Sequence, residues 1–477
     1  MNLGTSDIAR LLGISRPRVW QLRKDPTFPE PMGRDDHGRE YWDETDILRW
    51  AATTRKDLAA KAPLLWRPTS GQQAPLLGVA TVDRYAIVLW DSEVGRIGQV
   101  YAQGGLPAIG PEEVLRELLA RLSADTLIGQ DAGHFDRWGP DLRAVDAFAP
   151  DRIYQPRWED LARVLGTPAP YWPSGLIQPE EMARWRPGMP PPAVPPRHPE
   201  LDTGPLDRLH RDQPNTPAGR TVLHLAREID AQTVKSAKLN IKVLDKGVDR
   251  QFIALAATVL EPAPFDELDE VTQRAGWRDI LDRADSLARE CVLLAADWDG
   301  GRYFPFSTFH TLRPEHSPEV RAWQARLEPA DPTAAMFRLS RHEARACFTD
   351  PVTGLPALID RNGELRAAVP QRLYTTAPLR EVILRDSRVW IRTEDGVLHL
   401  APEQSGCGLG WGYGGSGPTT LAYLLHLLLD DITAVAPEYV PTNDTPLPDG
   451  LWELIKTTPR AEGATYTRAQ LLAARNA

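Results

Sequence analysis

The stretch TSDIARLLGISRPRVWQLRK, residues 5–24, decides how the N-terminal end of the chain is read. Ile8, Leu11 and Leu12 recur at the spacing of a short amphipathic helix. Thr5 or Ser6 offers a hydroxyl to cap its start. Gly13 ends it, because glycine enters the left-handed cap conformation without steric cost. Ser15 then caps a second helix, with Pro17 in its first turn, where the missing N–H costs little. Two short helices joined by a glycine turn form a helix-turn-helix. Ile8, Leu12, Ile14, Val19 and Leu22 fall on the faces that must be buried, and Ala9 is small where the helices cross. The second helix is left with Arg16, Arg18, Gln21, Arg23 and Lys24. These side-chain types reach phosphates and base edges from a helix in a major groove.

Outward from this motif, PTFPEPMGRDDHGREYW (residues 26–42) breaks the helical pattern with prolines, and Asp36-His37-Gly38 signals a turn between short extended arms. A hairpin wing is expected, with Arg34 and Arg39 available to phosphates. Asp43 caps a third helix whose buried side holds Ile47, Leu48 and Trp50. Together, SDIARLLGISRPRVWQL and GREYWDETDILRW resemble the MerR-like and AlpA/excisionase-like winged helix-turn-helix family over residues 4–53. The resemblance implies binding to double-stranded DNA, by a site-specific regulator or by a maintenance factor of a mobile element such as a plasmid or phage. MerR-like proteins usually dimerise through a coiled coil, and no heptad seam is visible here.

The whole chain cannot coat DNA. Its 477 residues carry a net charge of −10, whereas phosphate binding along its length would demand a basic surface. Contact is therefore expected from one module. No apolar run reaches the roughly 18 residues of a membrane span, so no membrane association is expected. The N-terminus lacks a basic stretch followed by an apolar core. Cys291, Cys347 and Cys407 lie far apart, which indicates neither a zinc site nor a disulfide framework. A cytoplasmic location follows as the expectation.

Residues 76–166 carry the strand-like runs GVATV, YAIVLW and RIGQVYA, a helix from Pro111 to Leu122, the strand TLIGQ, a helix expected after Asp136, and RWEDLARVLG. Strands followed by alternating helix and strand suggest an α/β sheet. Acids fall at strand ends: Asp91-Ser92-Glu93, then Asp131 and Asp136. Carboxylates converging from adjacent strand ends are what two-metal phosphodiester hydrolysis requires. The pattern looks like the DnaQ-like (DEDD) 3′–5′ exonucleases on an RNase H-like fold, over residues 76–230. That resemblance implies catalytic Asp91, Glu93, Asp136 and His210, the first three as Mg²⁺ ligands. It makes a metal-dependent DNA-processing enzyme the alternative function. The sequence departs from the family at Asn215, which stands where the family has an acid, and Asp131 replaces the usual Asn. Weak or no nuclease activity is expected, with Asp131 or Asp212 as the residues that would compensate. No other cofactor is indicated.

Further on, residues 379–400, with the runs REVILRD, SRVWIRT and GVLHLAP, read as a β-meander. GCGLGWGYGGSGPTTLAYLLHLLLDD (residues 406–431) then places a glycine-rich turn before an apolar helix. The P-loop lysine is missing, which disfavours nucleotide phosphate binding. The expected role is a tight strand-to-helix turn packed by Trp411 and Tyr413. The WGYGGSGP box is similar to a small domain of actinobacterial, phage and plasmid proteins, and no activity comes with it. Protein partners would engage this C-terminal region. Asp297, Asp299 and His310 cluster near aromatics, but His310, His316 and His342 lack metal-ligand spacing. The expected fold is thus multidomain α+β. It has a winged helix-turn-helix (1–55), a linker (56–75) and an RNase H-like α/β domain (76–237) with a proline-rich insertion (168–217). A mainly helical region (238–350), an α+β segment (351–435) and a tail (436–477) complete it.

Overall fold

The computed structural model describes residues 2–34, 38–54, 62–103, 111–136, 139–247, 251–404, 408–437 and 448–477. It is a mixed α+β chain of two compact units, residues 1–201 with 228–264 and residues 202–227 with 265–477. The expected turn at Asp36-His37 and the residue Cys407 lie outside the described residues.

In the first unit, α1 (Thr5–Leu12) ends at Gly13 with φ 66°, and α2 (Arg16–Leu22) follows with Pro17 in its first turn. The caps differ from expectation. Gly4, not Thr5 or Ser6, precedes α1, and its N–H donates to the Asp7 carboxylate at 3.1 Å. Ser15 holds the cap position of α2 without a side-chain cap bond. Strands β1 (Asn2–Leu3), β2 (Gly33–Arg34) and β3 (Glu40–Asp43) form an antiparallel sheet in the order β1-β3-β2, and α3 (Glu44–Thr54) follows directly. Ile8, Leu12, Val19, Leu22, Trp42, Ile47 and Trp50 are buried together around Phe28. Phe28 meets Trp50 edge-on at 4.8 Å, and the indole N–H groups of Trp42 and Trp50 donate to Pro29 O and Thr27 Oγ1. Such aromatic geometry holds a small core that has little area to bury.

The next element is a six-stranded sheet of β4 (Leu76–Val82), β5 (Tyr85–Ser92), β6 (Gly95–Ala102), β7 (Thr126–Asp136), β8 (Gly139–Asp146) and β9 (Ala149–Tyr154). The strands lie side by side in chain order. Every neighbouring pair is antiparallel except β6 and β7, which the helix α4 (Pro111–Arg121) connects in parallel. One face packs Ile87, Val100, Leu127 and Val145 on Leu115 and Leu118 of α4. The other face buries Ala86, Val88, Trp90 and Ile128 beneath α5 (Trp158–Leu165). Burial on both faces explains why YAIVLW is almost wholly apolar. After Asp136 the chain turns into β8, where the sequence suggested a helix.

The proline-rich insertion packs into the core of this unit. Trp172, Leu176, Met182, Trp185 and Val194 are buried in the main core of this unit, and Trp185 meets Trp90 edge-on at 6.5 Å. Two short parallel ladders tie the segment down: β10 (Ala169–Tyr171) pairs β12 (Ile253–Leu255), and β11 (Ala193–Val194) pairs β13 (Thr258–Val259). Prolines suit such two-stranded ladders because few backbone N–H groups are needed there.

The N-terminal module is fused to this sheet. Leu48 and Ala52 of α3 enter the sheet's core beside Trp66. Arg49 donates to Asp160 at 3.0 Å, and Asp160 also accepts from the Trp66 indole and from Arg157 N–H. Arg152 bridges to Glu44 at 3.3 Å. Asp146, buried at the end of β8, accepts from Leu64 N–H, Thr126 Oγ1 and Tyr154 OH, while burial raises its carboxyl pKa.

The second unit holds a five-stranded sheet (Phe306–Leu312, Leu365–Pro370, Pro356–Ile359, Ala346–Thr349, Glu328–Pro329). Its four-stranded sheet comprises Leu398–Leu400, Arg388–Thr393, Leu379–Arg385 and Ala464–Thr467. Two expected boundaries differ. Residue 237 lies inside the helix Pro217–Gly247. The segment 238–350 holds more helix than strand, as expected. The tail supplies the strand Ala464–Thr467, paired with Leu379–Arg385, and buries Leu451, Ile455 and Leu471 in the core around the helix Ser416–Asp430. In the glycine-rich turn, Gly412 has φ 79° and Trp411 is buried. A Cβ at Gly410 or Gly417 would collide with the Tyr413 hydroxyl, so these glycines serve close packing.

Candidate nucleic-acid interface

The α2 helix sets the site. At about 100° per residue, buried Val19 and Leu22 define its inner side, and the opposite arc carries Pro17, Trp20 and Gln21, with Lys24 in the turn just beyond the helix. Arg16 flanks this arc on one side and Arg18 on the other, and all of these residues are exposed. Arg18 Nη1 donates to Gln21 Oε1 at 2.7 Å, a surface contact that leaves both heads in solvent. Between the first turn of α1, the α2 helix and the β2–β3 arms lies an open groove of about 1090 Å³. Arg16, Trp20, Arg34 and Arg39 line it.

The acids of the groove are engaged internally. Asp7 accepts from Gly4 N–H and pairs with Arg10 at 3.6 Å. Glu40 pairs with Arg23 and, at 3.4 Å, with Arg34. Among the described residues that line the groove, arginines outnumber acids.

Arg23 departs from its expected role. Its guanidinium is held by Glu40 and lies 4.4 Å from the Trp20 ring centre and 4.9 Å from that of Trp42. Only 21% of its side chain is exposed. This geometry makes Arg23 a strut between α2 and the wing strand β3, not a side chain extended toward phosphates. Trp20 was absent from the residues expected at the interface. Its signal lies in the same helical periodicity, which puts residue 20 on the outward arc.

The strand positions of Asp91 and Asp136 lie far apart in the sheet. Asp91 faces Arg96 on β6, level with the start of β7, whereas Asp136 ends β7. Asp146 faces Thr126 and Gly139 faces Asp136, so the two levels differ by about seven residues of β8, or roughly 23 Å. The strand β6 also separates β5 from β7. Paired metal ions sit about 4 Å apart, so one site cannot use both residues. Glu93 is taken up by Ser70, whose N–H donates at 2.8 Å and whose hydroxyl also donates. Those bonds lower its carboxyl pKa. His210 belongs to the other unit, where its Nδ1 lies 3.0 Å from Gly219 O. Among the described residues no group of three His, Cys, Asp or Glu side chains is placed to hold a metal ion. Likewise, no helix among them is long and apolar enough to cross a membrane.

Compared with protein-family models, curated proteins and solved structures, the chain matches none of them.

Proposed function

We propose that residues 1–54 are a winged helix-turn-helix that binds double-stranded DNA, and that the chain is a site-specific regulator or a maintenance factor of a mobile element. The observation that carries this reading is the groove. Arg16 and Trp20 of α2 and the arginines of the β2–β3 arms line one open groove, and the described acids that line it are paired with arginines. A helix of this composition fits a major groove, and the arms fit the flanking phosphates. The overall charge of −10 confines non-specific attraction to this surface. The second unit serves assembly or partner contact in this scheme. An exonuclease would need Asp91 and Asp136 to share a metal site, and their separation leaves that alternative without support.

The test is fluorescence anisotropy of the full-length protein on duplexes enriched from a random pool. Binding should weaken with salt by about 0.9 log units per decade for each phosphate contact. The triple variant Arg16→Ala/Arg18→Ala/Lys24→Ala should lose most of the affinity with its fold intact. Affinity unchanged in that variant would remove this surface from consideration.

A further inference from the structure

An exposed indole is an unexpected group on the outward arc of α2, beside Gln21 and flanked by Arg16 and Arg18. Trp20 is 56% exposed, although burying such a ring is among the largest apolar gains a side chain can make. The ring is also held in place. Arg23 stacks against it at 4.4 Å, and Arg23 is itself fixed by Glu40 and by the buried Trp42 behind it. The layers Trp20, Arg23 and Trp42 form a braced stack whose outermost member faces the groove that Arg16 and Arg39 also line. Cation–π stacking keeps the indole from collapsing onto the module's own surface. Its apolar area is therefore presented to whatever fills the groove.

If the occupant is duplex DNA, its chemistry narrows the contact. Base edges in the major groove offer hydrogen-bonding groups at every pair but only one apolar feature, the 5-methyl group of thymine. Gln21, next to Trp20 on the arc, has the amide suited to adenine. We infer that Trp20 is a specificity-determining residue that packs on a thymine 5-methyl group in the major groove. The inference rests on the DNA-binding reading above and goes beyond it by naming the base and the atom.

Replacing thymine by uracil one position at a time in the selected duplex deletes only the methyl group. For the full-length wild-type protein, one position per bound module should show about three- to fivefold weaker binding, the worth of one buried methyl-sized group. Trp20→Ala should bind the thymine and uracil duplexes equally at that position, with an unchanged salt dependence. Trp20→Phe should restore part of the discrimination, and circular dichroism should show both variants folded. A wild-type protein that binds the duplex but ignores every thymine-to-uracil change overturns the inference and leaves DNA binding standing. The inference also fails if Trp20→Ala weakens both duplexes equally, since the ring would then pack on the sugar-phosphate backbone. It fails too if Trp20→Ala discriminates as well as wild type. A wild-type protein that binds no duplex sinks both readings together.

Discussion

Removing the side chain of Arg23 separates a structural strut from a phosphate contact. The Arg23→Ala change deletes the ion pair to Glu40 and the stacking against Trp20 and Trp42. A cation–π contact contributes about 0.5–1 kcal/mol. A partly exposed ion pair contributes at most about 1 kcal/mol. The sum is roughly 2 kcal/mol, and Glu40 keeps Arg34 as a weaker partner. In a unit of this size, each kcal/mol shifts the midpoint by about 2–4 °C, so the thermal transition of the first unit should fall by roughly 4–8 °C. Near-ultraviolet circular dichroism follows that transition, because Trp20 and Trp42 change surroundings. DNA binding read at several salt concentrations gives the second half of the result. The salt slope should be nearly unchanged in Arg23→Ala, while Arg16→Ala should lower it by about 0.9 with no thermal shift. Arg23→Lys keeps the charge but not the planar stack, and should recover only part of the stability. An Arg23→Ala protein with an unchanged midpoint and a slope reduced by one contact would refute the strut and return Arg23 to the phosphates.

Three other outcomes are expected. End-labelled single-stranded DNA incubated with the protein and Mg²⁺ or Mn²⁺ should not be shortened from its 3′ end; progressive shortening that disappears in Asp91→Ala would overturn the separation drawn from the sheet register. Asp146→Ala orphans Leu64 N–H and the hydroxyls of Thr126 and Tyr154, and should cost about 3–5 kcal/mol in urea unfolding; a loss below about 1 kcal/mol would mean water replaces the carboxylate. His399 is 1% exposed, and burial, aided by the charge of Arg326, lowers its pKa to about 4 from 6.5. The unfolded chain therefore binds a proton that the folded one refuses. The stability of the second unit is fully present above pH 6.5 and should decline as pH falls toward 4, with His399→Gln flattening that decline. Parallel pH profiles for wild type and variant would contradict it.

The parts legible in the sequence are those whose causes are local. The helices α1 and α2 follow from apolar spacing within a turn or two, and Gly13 and Pro17 punctuate them at the expected places. The run YAIVLW forms a strand as read, since its apolar content needs two buried faces. The meander at 379–400 appears because each strand is bounded by a turn. Positions on the α2 arc are equally a matter of periodicity, and Trp20 sits there by the same spacing that places Gln21.

What the sequence could not determine is which distant groups meet. Acids at the ends of β5 and β7 look alike along the chain. The parallel pairing of β6 with β7 puts Asp91 and Asp136 at opposite ends of one sheet, and that pairing is set by how α4 packs across it. The proline-rich segment reads as an insertion, and only the fold shows Trp185 meeting Trp90 and Val194 entering the core. Arg23 reads as one more cation on a basic helix until the chain returns, 17 residues later, with Glu40. By itself the sequence determined the periodic elements, because helix and strand patterns are written in neighbours. Only the tertiary structure decided which charges are neutralised and which remain for a partner, because that depends on distances between residues the chain brings together only by folding.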